Sequence, residues 1–315
     1  MNIENEIKVS VCVVTYNQEK YIAECLQSLV DQVTDFKFEI IVGEDCSTDN
    51  TRAVVDEFAI KYPDIIIRNY HENNIGPVQN VLSTYKMARG EYIAHLDGDD
   101  YALPGKLKKQ VSALDENLDC TICSHDVVIV DAQGSILRES FKKHDKKINN
   151  LIDLYSILPF FSHSSKMFRN DMVKEFWNHL HKNALDIEIH VMQAKNGNIY
   201  HIDEVFGVYR EGVGISLVNR KMNPILIEGI RRIFDVALTE CQDKYFDYIK
   251  ICYAKKVFSC AYRAAIYDDK ISLREYIIES KNIRSVSIFQ KLFFYLSHFP
   301  LLVVLICRFR ESIIK

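Results

Sequence analysis

Four short apolar runs in the first hundred residues, separated by segments with helical spacing, constrain the fold of this chain most strongly. The runs are rich in β-branched residues and cover residues 9–14, 38–43, 65–70 and 92–96. The segments at 21–31, 50–61 and 77–89 repeat apolar residues at helical intervals. Strands that alternate with helices pair in parallel, because each helix carries the chain back along the sheet. The pattern predicts an α/β fold with a mostly parallel sheet covered by helices in this part of the chain. With the later elements described below, we expect a mixed sheet flanked by helices.

Polar residues follow each of the four predicted strands. In open parallel sheets ligands bind beyond the carboxyl ends of the strands, so we expect these residues to line one site. In chain order they are Thr15-Tyr16-Asn17, Glu44-Asp45, His71-Glu72-Asn73-Asn74 and Asp97-Gly98-Asp99-Asp100.

The last of these clusters places three carboxylates within four residues, directly after an apolar run. Like charges held together at a sheet edge are unfavourable unless a cation or hydrogen-bond donors share the site. We therefore expect such a partner there, with an Asp- and Gly-rich surface turn as the alternative. The turn from Glu44 to Asp49 offers acceptors suited to a nucleobase N–H and to ribose hydroxyls, although Ser47 to Asp49 could simply cap the next helix.

The pattern changes after the fourth strand. A helix is predicted from Pro104, with residues 106–114 on it, and a strand at 121–130. An irregular, basic stretch at 133–150 is followed by a predicted hairpin at 199–202 and 205–209, and the apolar spacing from 223 to about 280 is helical. We therefore predict a domain at 1–220, with halves at 1–115 and 116–220, and a helical region at 221–315.

The C-terminal segment combines apolar and basic residues. Residues 292–309 are mostly apolar but interrupted by Ser297, His298 and Pro300, and residues 281–315 carry six Lys or Arg against one Glu. Basic flanks around an apolar stretch attract anionic lipid head groups, so we predict peripheral attachment at a membrane surface. The alternatives are a terminal helix packed on the domain and a full membrane span, which Pro300 shortens.

Composition narrows the partners and the compartment. The net charge is -4 and no long basic block is present, so nucleic acid is not an expected partner. Nine cysteines lack a disulfide spacing, and no charged-then-apolar leader precedes Val9. We expect a cytoplasmic protein, attached at the inner face of the membrane.

Four segments of the chain follow one another as a set. In chain order they are Val11-Cys-Val-Val-Thr15-Tyr16-Asn17, Glu44-Asp45-Cys-Ser47-Thr48-Asp49-Asn50-Thr51, Asn74-Ile-Gly76 with Asn80, and Gly90-Glu-Tyr-Ile-Ala-His-Leu-Asp97-Gly98-Asp99-Asp100. In this order they resemble the successive signatures of the family 2 glycosyltransferases with the inverting GT-A fold. The resemblance covers residues 9 to about 110, with a weaker match to about 216.

The resemblance implies a nucleotide-sugar donor bound in the first half of the domain, with a divalent cation, Mg²⁺ or Mn²⁺, held by Asp99. Asp45 would read the base, and Asp97 would lie near the ribose and the sugar. Glu44-Asp45-Cys46 stands where Asp-Asp-Gly is commoner in the family, and Cys46 lacks the backbone freedom of glycine, so we expect a slightly different turn. The implied donor-binding residues are Thr15, Tyr16, Asn17, Glu44, Asp45, Asn74, Gly76, Asn80, Asp97 and Gly98.

The resemblance also implies an acidic base that opens a helix in the second half and deprotonates the acceptor hydroxyl. The run Ala184 to His190 resembles that element and places Asp186 at the base position, with Glu188 as the fallback. In the alternative, Asp186 only caps its helix. His190 is predicted to be structural.

Two further segments resemble elements around the acceptor. Phe161 to Arg169 resembles the acceptor-side strand and makes His163 a candidate contact; a hydroxyl-rich strand edge is the alternative. Tyr209-Arg210, followed by Ser216, resembles the closing loop, in which Arg210 could approach the diphosphate or form a plain ion pair.

Together these features predict an inverting, metal-dependent hexosyl- or N-acetylhexosaminyltransferase that uses a UDP-sugar. The predicted acceptor is a growing bacterial surface glycan, such as a lipid-linked oligosaccharide or lipopolysaccharide. A sugar nucleotidyltransferase is disfavoured, because no Gly-rich phosphate loop follows the first strand. A glycan- or nucleotide-sugar-binding module without catalysis remains the other alternative.

Overall fold

The computed structural model describes residues 6–171, 180–213 and 223–314, with side chains to residue 310. The described residues form two compact units, one of residues 6–151, 159–171 and 180–213 and the other of residues 152–158 and 223–314. The predicted boundary at residue 220 lies outside the described residues.

The first half of the first unit follows the predicted alternation of strands and helices. Each predicted element lies within two or three residues of its predicted bounds, whereas the short strand Tyr101–Ala102 was not predicted. The elements are β1 (Val9–Thr15), α1 (Ile22–Val30), β2 (Phe38–Glu44), α2 (Thr51–Lys61), β3 (Ile66–Tyr70), α3 (Pro77–Lys86), β4 (Tyr92–Asp97), β5 (Tyr101–Ala102) and α4 (Lys106–Glu116).

The later elements are more varied. Short strands and helices lie between two long strands in the chain, and a series of α-helices follows the second long strand. They are β6 (Cys120–Val130), β7 (Ile136–Arg138), β8 (Ile148–Asn149), α5 (Leu151–Ser156), β9 (Met167–Arg169), α6 (Asp186–Ala194), β10 (Asn198–Arg210), α7 (Pro224–Glu240), α8 (Asp243–Ile266), α9 (Lys270–Ile283), α10 (Ile288–Tyr295) and α11 (Pro300–Ile314).

The ten described strands form one mixed sheet. Its main path runs β3-β2-β1-β4-β9-β6-β10-β5, with β7 beside β6 and β8 beside β10. The pairs among β1 to β4 are parallel, whereas β9 runs antiparallel to both of its neighbours. The predicted mixed sheet flanked by helices, followed by a helical region, is confirmed.

The apolar core of the first unit explains why these strands form where the sequence predicts them. Strands β1 and β2 are almost wholly buried, as expected for central parallel strands covered on both faces. Helix α1 turns a face of Ile22, Cys25, Leu26 and Leu29 into this core.

The hairpin predicted at 199–209 is wrong. The segment is one strand, β10, and both of its parts pair in parallel with β6. The register shifts between Ile202 and Val205 and again between Val205 and Gly207, so the exposed pair Asp203-Glu204 is absorbed in a bulge rather than in a turn. Glu204 pairs with Lys109 on α4 at 3.0 Å.

The strand predicted at 161–169 is shorter than expected. Within this segment only β9 pairs as a strand, between β4 and β6, and residues His163–Ser165 form a 3-10 turn just before it. The turn buries polar side chains next to the end of β4, which brings Ser164 against the Asp97 cluster.

The second unit is helical, as predicted. Helices α7, α9 and α10 each begin with a side-chain cap, from Asn223, Asp269 and Ser287 respectively. Inside the unit, Phe234 on α7 stacks on Tyr253 of α8, with ring centroids 4.8 Å apart.

Helices α10 and α11, and Phe299 between them, expose large apolar side chains, which we call the apolar face. Arg310 lies 5.9 Å from the ring of Phe289, so the end of α11 adjoins the start of α10. None of the described helices is long and apolar enough to cross a membrane. The large apolar side chains of this face, each at least 44% exposed, are Ile288, Phe289, Leu292, Tyr295, Phe299, Leu301, Leu302, Leu305 and Phe309.

Candidate active site

The sheet brings the polar ends of three strands to one edge. Thr15 at the end of β1 stands opposite Glu44 at the end of β2, and Val14 stands opposite Asp97 at the end of β4. Parallel register therefore gathers residues as far apart in the chain as Thr15, Glu44 and Asp97.

Ser164 and Arg210 brace the acidic cluster. The Ser164 hydroxyl accepts the Asp97 N–H at 3.0 Å and lies 3.1 Å from Asp97 Oδ2 and 2.5 Å from Asp100 Oδ2. The backbone N–H of Arg210 donates to Asp100 Oδ1 at 2.8 Å. Through these hydrogen bonds Asp100 holds β10 and the turn before β9 against the cluster.

The negative charge of the cluster is only partly compensated. Burial, together with the nearby charge of Asp97, raises the pKa of Asp99 to about 7. Burial, together with the charges of Asp99 and Asp97, raises the pKa of Asp100 well above its ordinary value. The guanidinium of Arg210 donates to Glu24 Oε2 at 2.7 Å and to the Asp99 carbonyl at 3.0 Å rather than to these carboxylates.

This arrangement fits a divalent cation at Asp99. A buried carboxylate whose ionisation is opposed by a like charge is stabilised when a cation is bound beside it. Among the described residues, no group of three or more His, Cys, Asp or Glu side chains is arranged to hold a metal ion by itself. An ion at Asp99 would therefore need most of its ligands from the bound donor and from water.

The turn after β2 is held by Glu44 and Asn17. Buried Glu44 accepts the Ser47 N–H and pairs with Arg52, both at 2.5 Å. Asn17 Oδ1 accepts the Thr48 N–H at 2.8 Å. Cys46 has φ 59°, in the left-handed region that glycine occupies easily, so the turn keeps a glycine-like backbone at a cost of about 1 kcal/mol.

Asp45 already has partners of its own. Its carboxylate accepts the N–H groups of Ile75 at 2.8 Å and Gly76 at 3.0 Å, at the start of α3. Asn74 donates to the Asp45 carbonyl, and buried Asn80 donates to the Gly43 carbonyl. These contacts join the end of β2 to the start of α3, and together the two form one wall of the candidate site. The role of Asp45 in reading the base stays a prediction.

The opposite wall combines Thr15, Tyr16 and Gly98. Thr15 Oγ1 donates to Gln18 Oε1 at 2.7 Å. A Cβ atom at Gly98 would lie 2.6 Å from Gln18 Oε1 and 2.9 Å from Thr15, so only glycine fits between β4 and this wall. Tyr16 is 42% exposed.

Asp186 is the first residue of α6, and Leu185 is the N-cap. The side chain is 64% exposed, and its Oδ1 lies 3.8 Å from His163 Nε2. The surrounding protein and the charge of Asp97 raise the pKa of Asp186 to about 7, against the opposing charge of Lys166. Solvent screening moderates this shift because the side chain is exposed. Glu188, the fallback, accepts the Leu185 N–H at 2.7 Å and so caps its own helix.

Sequence reasoning missed the buried polar residues between Asp97 and Asp186. His95 Nε2 lies 3.2 Å from Asp97 Oδ1, and Tyr85 lies 2.9 Å from His95 Nδ1. Burial opposes the ionisation of Asp97, but the His95 and Ser164 hydrogen bonds and the charge of Lys166 hold its pKa below the ordinary value. A histidine in the middle of the apolar run of β4 was the available signal.

Lys166 is fully buried, and burial lowers its pKa to about 7 although Asp186 and Asp97 favour its charge. His163, a predicted diphosphate or acceptor contact, is buried beneath Asp186. Arg210 lies at the acidic cluster, but its partners are Glu24, the Asp99 carbonyl and Asp100. The described structure thus gathers the predicted residues of both halves at one edge; Ser216 lies outside the described residues.

A sequence model of one family, Glycosyl transferase family 2, matches residues 10–177. This chain belongs to that family, as the order of its motifs predicted.

Two relatives show how far the sequence likeness extends. An uncharacterised protein of Mycobacterium tuberculosis is 33% identical over 205 residues, which are 64% of this chain and 58% of that protein. The poly(ribitol-phosphate) β-N-acetylglucosaminyltransferase TarS of Staphylococcus aureus is 31% identical over 178 residues, which are 54% of this chain and 29% of TarS. The chain therefore spans less than two thirds of the length of these relatives.

Solved structures share the fold. The crystal structure of residues 1–349 of S. aureus TarS matches with a TM-score of 0.65 at 22% identity, covering 88% of this chain and 81% of that one. The same part of TarS in complex with UDP-GlcNAc matches with a TM-score of 0.61, at 22% identity over 88% of each chain. The mannosyltransferase PcManGT from Pyrobaculum calidifontis, in complex with GDP-Man and Mn²⁺, matches with a TM-score of 0.55 at 16% identity, covering 94% and 85%.

The raised pKa of Asp99 predicts a pH-dependent effect of Asp99→Asn in EDTA. The folded state holds this proton more tightly than the unfolded chain, so wild-type stability falls as the pH rises from about 4 to about 7. Asn removes the repulsion. Its gain in the free energy of unfolding, measured by urea titration, should be about 1–3 kcal/mol larger at pH 8 than at pH 5. Equal effects at both pH values would contradict the charge argument.

Proposed function

We propose that the protein is an inverting, metal-dependent glycosyltransferase that moves a hexosyl or N-acetylhexosaminyl group from a UDP-sugar to a glycan hydroxyl. The observation that carries the proposal is the meeting of two acidic groups at one sheet edge. The cluster at Asp97 to Asp100 follows β4. Asp186 Oδ1 lies 3.8 Å from His163, whose ring lies against His95, and His95 Nε2 lies 3.2 Å from Asp97 Oδ1.

The donor is proposed to lie across the ends of β1, β2 and β4. The family of the chain and the crystal structure of TarS with UDP-GlcNAc, which shares its fold, support a UDP-sugar as the donor. The uracil and ribose would lie against Thr15, Tyr16, Asn17, Asp45 and Asn74. Glu44, Gly76 and Asn80 would hold the walls, and Asp97 and Gly98 would lie near the ribose and the sugar.

A divalent ion held by Asp99 would neutralise the negative charge that develops on the leaving diphosphate. The Mn²⁺ complex of PcManGT supports a divalent cation as the partner. Asp100 would keep the turn in place through Ser164 and Arg210.

Asp186 is proposed to act as the general base. The acceptor oxygen attacks the anomeric carbon from the face opposite the leaving group and forms the new C–O bond. The bond from that carbon to the donor phosphate oxygen breaks, and its electron pair leaves with UDP. The hydroxyl proton passes to a carboxylate oxygen of Asp186, and the anomeric configuration inverts.

The acceptor is proposed to be a growing surface glycan, a lipid-linked oligosaccharide or lipopolysaccharide among them. The poly(ribitol-phosphate) transferase among the relatives supports polymer synthesis. The exposed apolar face of α10 and α11 supports work at the cytoplasmic surface of the inner membrane. Lys291, Arg308 and Arg310 on the same two helices are exposed and match anionic head groups.

Nucleotide binding tests the donor site. Isothermal titration with UDP should give binding in Mn²⁺ that weakens at least about tenfold in EDTA, because the ion bridges protein and diphosphate. Asp99→Ala should remove the metal dependence, whereas the exposed control Asp203→Ala should not. Binding of GDP, CDP or dTDP instead of UDP would change the donor class, and no binding of any nucleotide would refute the proposal.

The base assignment is tested by Asp186→Asn. Transfer from UDP-sugars to a lipid-linked glycan extract should fall by at least about a thousandfold, while UDP affinity stays within about twofold, because only proton removal is lost. Glu188→Gln, which keeps an oxygen for the Leu185 N–H, should retain transfer. The reverse pattern would move the base to Glu188.

Membrane attachment is tested with vesicles. Substituting Phe299, Leu305 and Phe309 by Ser should reduce co-sedimentation with phosphatidylglycerol vesicles at least about tenfold, because the apolar face no longer inserts. Replacing the isolated exposed residues Ile60, Leu118 and Ile271 by Ser is the matched control and should change little. Deletion of residues 288–315 should release the protein from membrane fractions. Unchanged sedimentation of the triple variant and of the truncated chain would refute the attachment.

A further inference from the structure

A cluster of buried imidazoles lies beneath Asp186, and the transfer step described above leaves it unused. His163 Nδ1 lies 2.9 Å from His190 Nε2. The ring of His95 lies against His163, with centroids 3.9 Å apart, and Phe161 stacks on His190 at 4.5 Å. The His163 ring is therefore fixed on two sides.

Two ring nitrogens of this cluster have no hydrogen-bond partner among the described residues. They are His163 Nε2 and His190 Nδ1, and both are buried. Asp186 Oδ1 lies 3.8 Å from His163 Nε2. This distance exceeds a hydrogen bond, but contacts of catalytic groups are often long without substrate and tighten when substrate is bound.

The protonation states follow from burial. Burial lowers the pKa of His163 and of His190 well below the ordinary value, so both rings are neutral and share one hydrogen between Nδ1 and Nε2. If His163 Nδ1 carried this hydrogen, His163 Nε2 would be unprotonated and would face Asp186. His190 would then carry its own hydrogen on Nδ1, which is buried without an acceptor. If His190 donates it, His163 carries its hydrogen on Nε2, toward Asp186. The second arrangement directs the remaining N–H of the pair at a carboxylate 3.8 Å away and avoids the repulsion between a bare Nε2 and Asp186.

We propose that His163 is a positioning residue: its Nε2–H group orients the Asp186 carboxylate toward the acceptor and stabilises the charged form, and His190 fixes the tautomer that allows this. The inference rests on the proposed function of Asp186 as the base. His163 then acts through Asp186 and touches neither the diphosphate nor the acceptor.

Other groups around Asp186 set the background for this contact. The charge of Lys166 lowers the pKa of Asp186, and that of Asp97 raises it. Tyr85 and Tyr209, whose own pKa values are raised by burial and by nearby acids that include Asp186, stay neutral. A donor at His163 adds to the effect of Lys166, so its removal raises the pKa of Asp186.

The direct test follows the Asp186 carboxyl by ¹³C NMR in protein labelled at aspartate, with Asp186→Asn to assign the signal. His163→Leu should raise the titration midpoint by about half to one pH unit. His163→Gln should stay near wild type, since its amide places an N–H where Nε2 stood. His201→Leu, which removes an equally buried imidazole elsewhere, should leave the midpoint unchanged. An unshifted midpoint in His163→Leu overturns the proposal.

A second measurement needs no core substitution. In wild-type protein labelled with ¹⁵N-histidine, His163 should show a protonated Nε2 and a bare Nδ1 at pH 7, with His163→Gln identifying the signals. A protonated Nδ1 overturns the proposal even where the leucine variant does not fold. His190→Gln, whose amide N–H can still donate, should preserve the tautomer.

Kinetics separate this inference from the proposed function. In His163→Leu the acidic limb of kcat/KM against pH should move to higher pH by the same half to one unit. Below the midpoint this shift lowers kcat/KM about three- to tenfold. In His163→Gln the limb should return to its wild-type position. Retained transfer in Asp186→Asn refutes the base assignment itself. If Asp186→Asn abolishes transfer but the acidic limb of kcat/KM does not move in His163→Leu, only the positioning role is refuted.

Discussion

Like charges at the end of β4 are the constraint on which the rest of the site depends. Asp97, Asp99 and Asp100 follow a buried strand, and the nearby guanidinium of Arg210 is directed at Glu24 and at a carbonyl instead of at them. Burial and mutual repulsion raise the pKa of Asp99 to about 7. A bound cation would relieve that repulsion. The cluster is therefore better suited to binding an anionic, metal-bearing donor than to stabilising the folded protein.

The neighbouring elements are arranged around this charge. The turn before β9 brings the Ser164 hydroxyl between Asp97 and Asp100, and β10 supplies the Arg210 N–H to Asp100. The same turn carries His163, which connects to α6 through His190 and faces Asp186. One short segment between β4 and β6 therefore links the acidic cluster to the candidate base, although the three elements are distant in the sequence.

The sequence predicted the parallel half of the sheet well, because apolar β-branched runs with intervening helical periods leave few other folds. It failed at β10, where the exposed Asp203-Glu204 pair suggested a turn but is absorbed in a bulge within one strand. The buried histidines and Lys166 were not foreseen as a cluster, since nothing in a single sequence shows which polar residues of β4, of the turn before β9 and of α6 converge. At Cys46 we expected a slightly different turn because the residue lacks the backbone freedom of glycine, yet Cys46 adopts φ 59°, in the region that glycine occupies easily.

The claim that the strand-end acids hold a metal-bound nucleotide is tested most directly by a crystal structure with UDP and Mn²⁺, using anomalous scattering at the manganese edge. We expect one anomalous peak in contact with both the Asp99 carboxylate and the diphosphate, with the uracil against Asp45 at the end of β2. A bound UDP with no manganese at Asp99, or a nucleotide bound away from the ends of β1, β2 and β4, would contradict it.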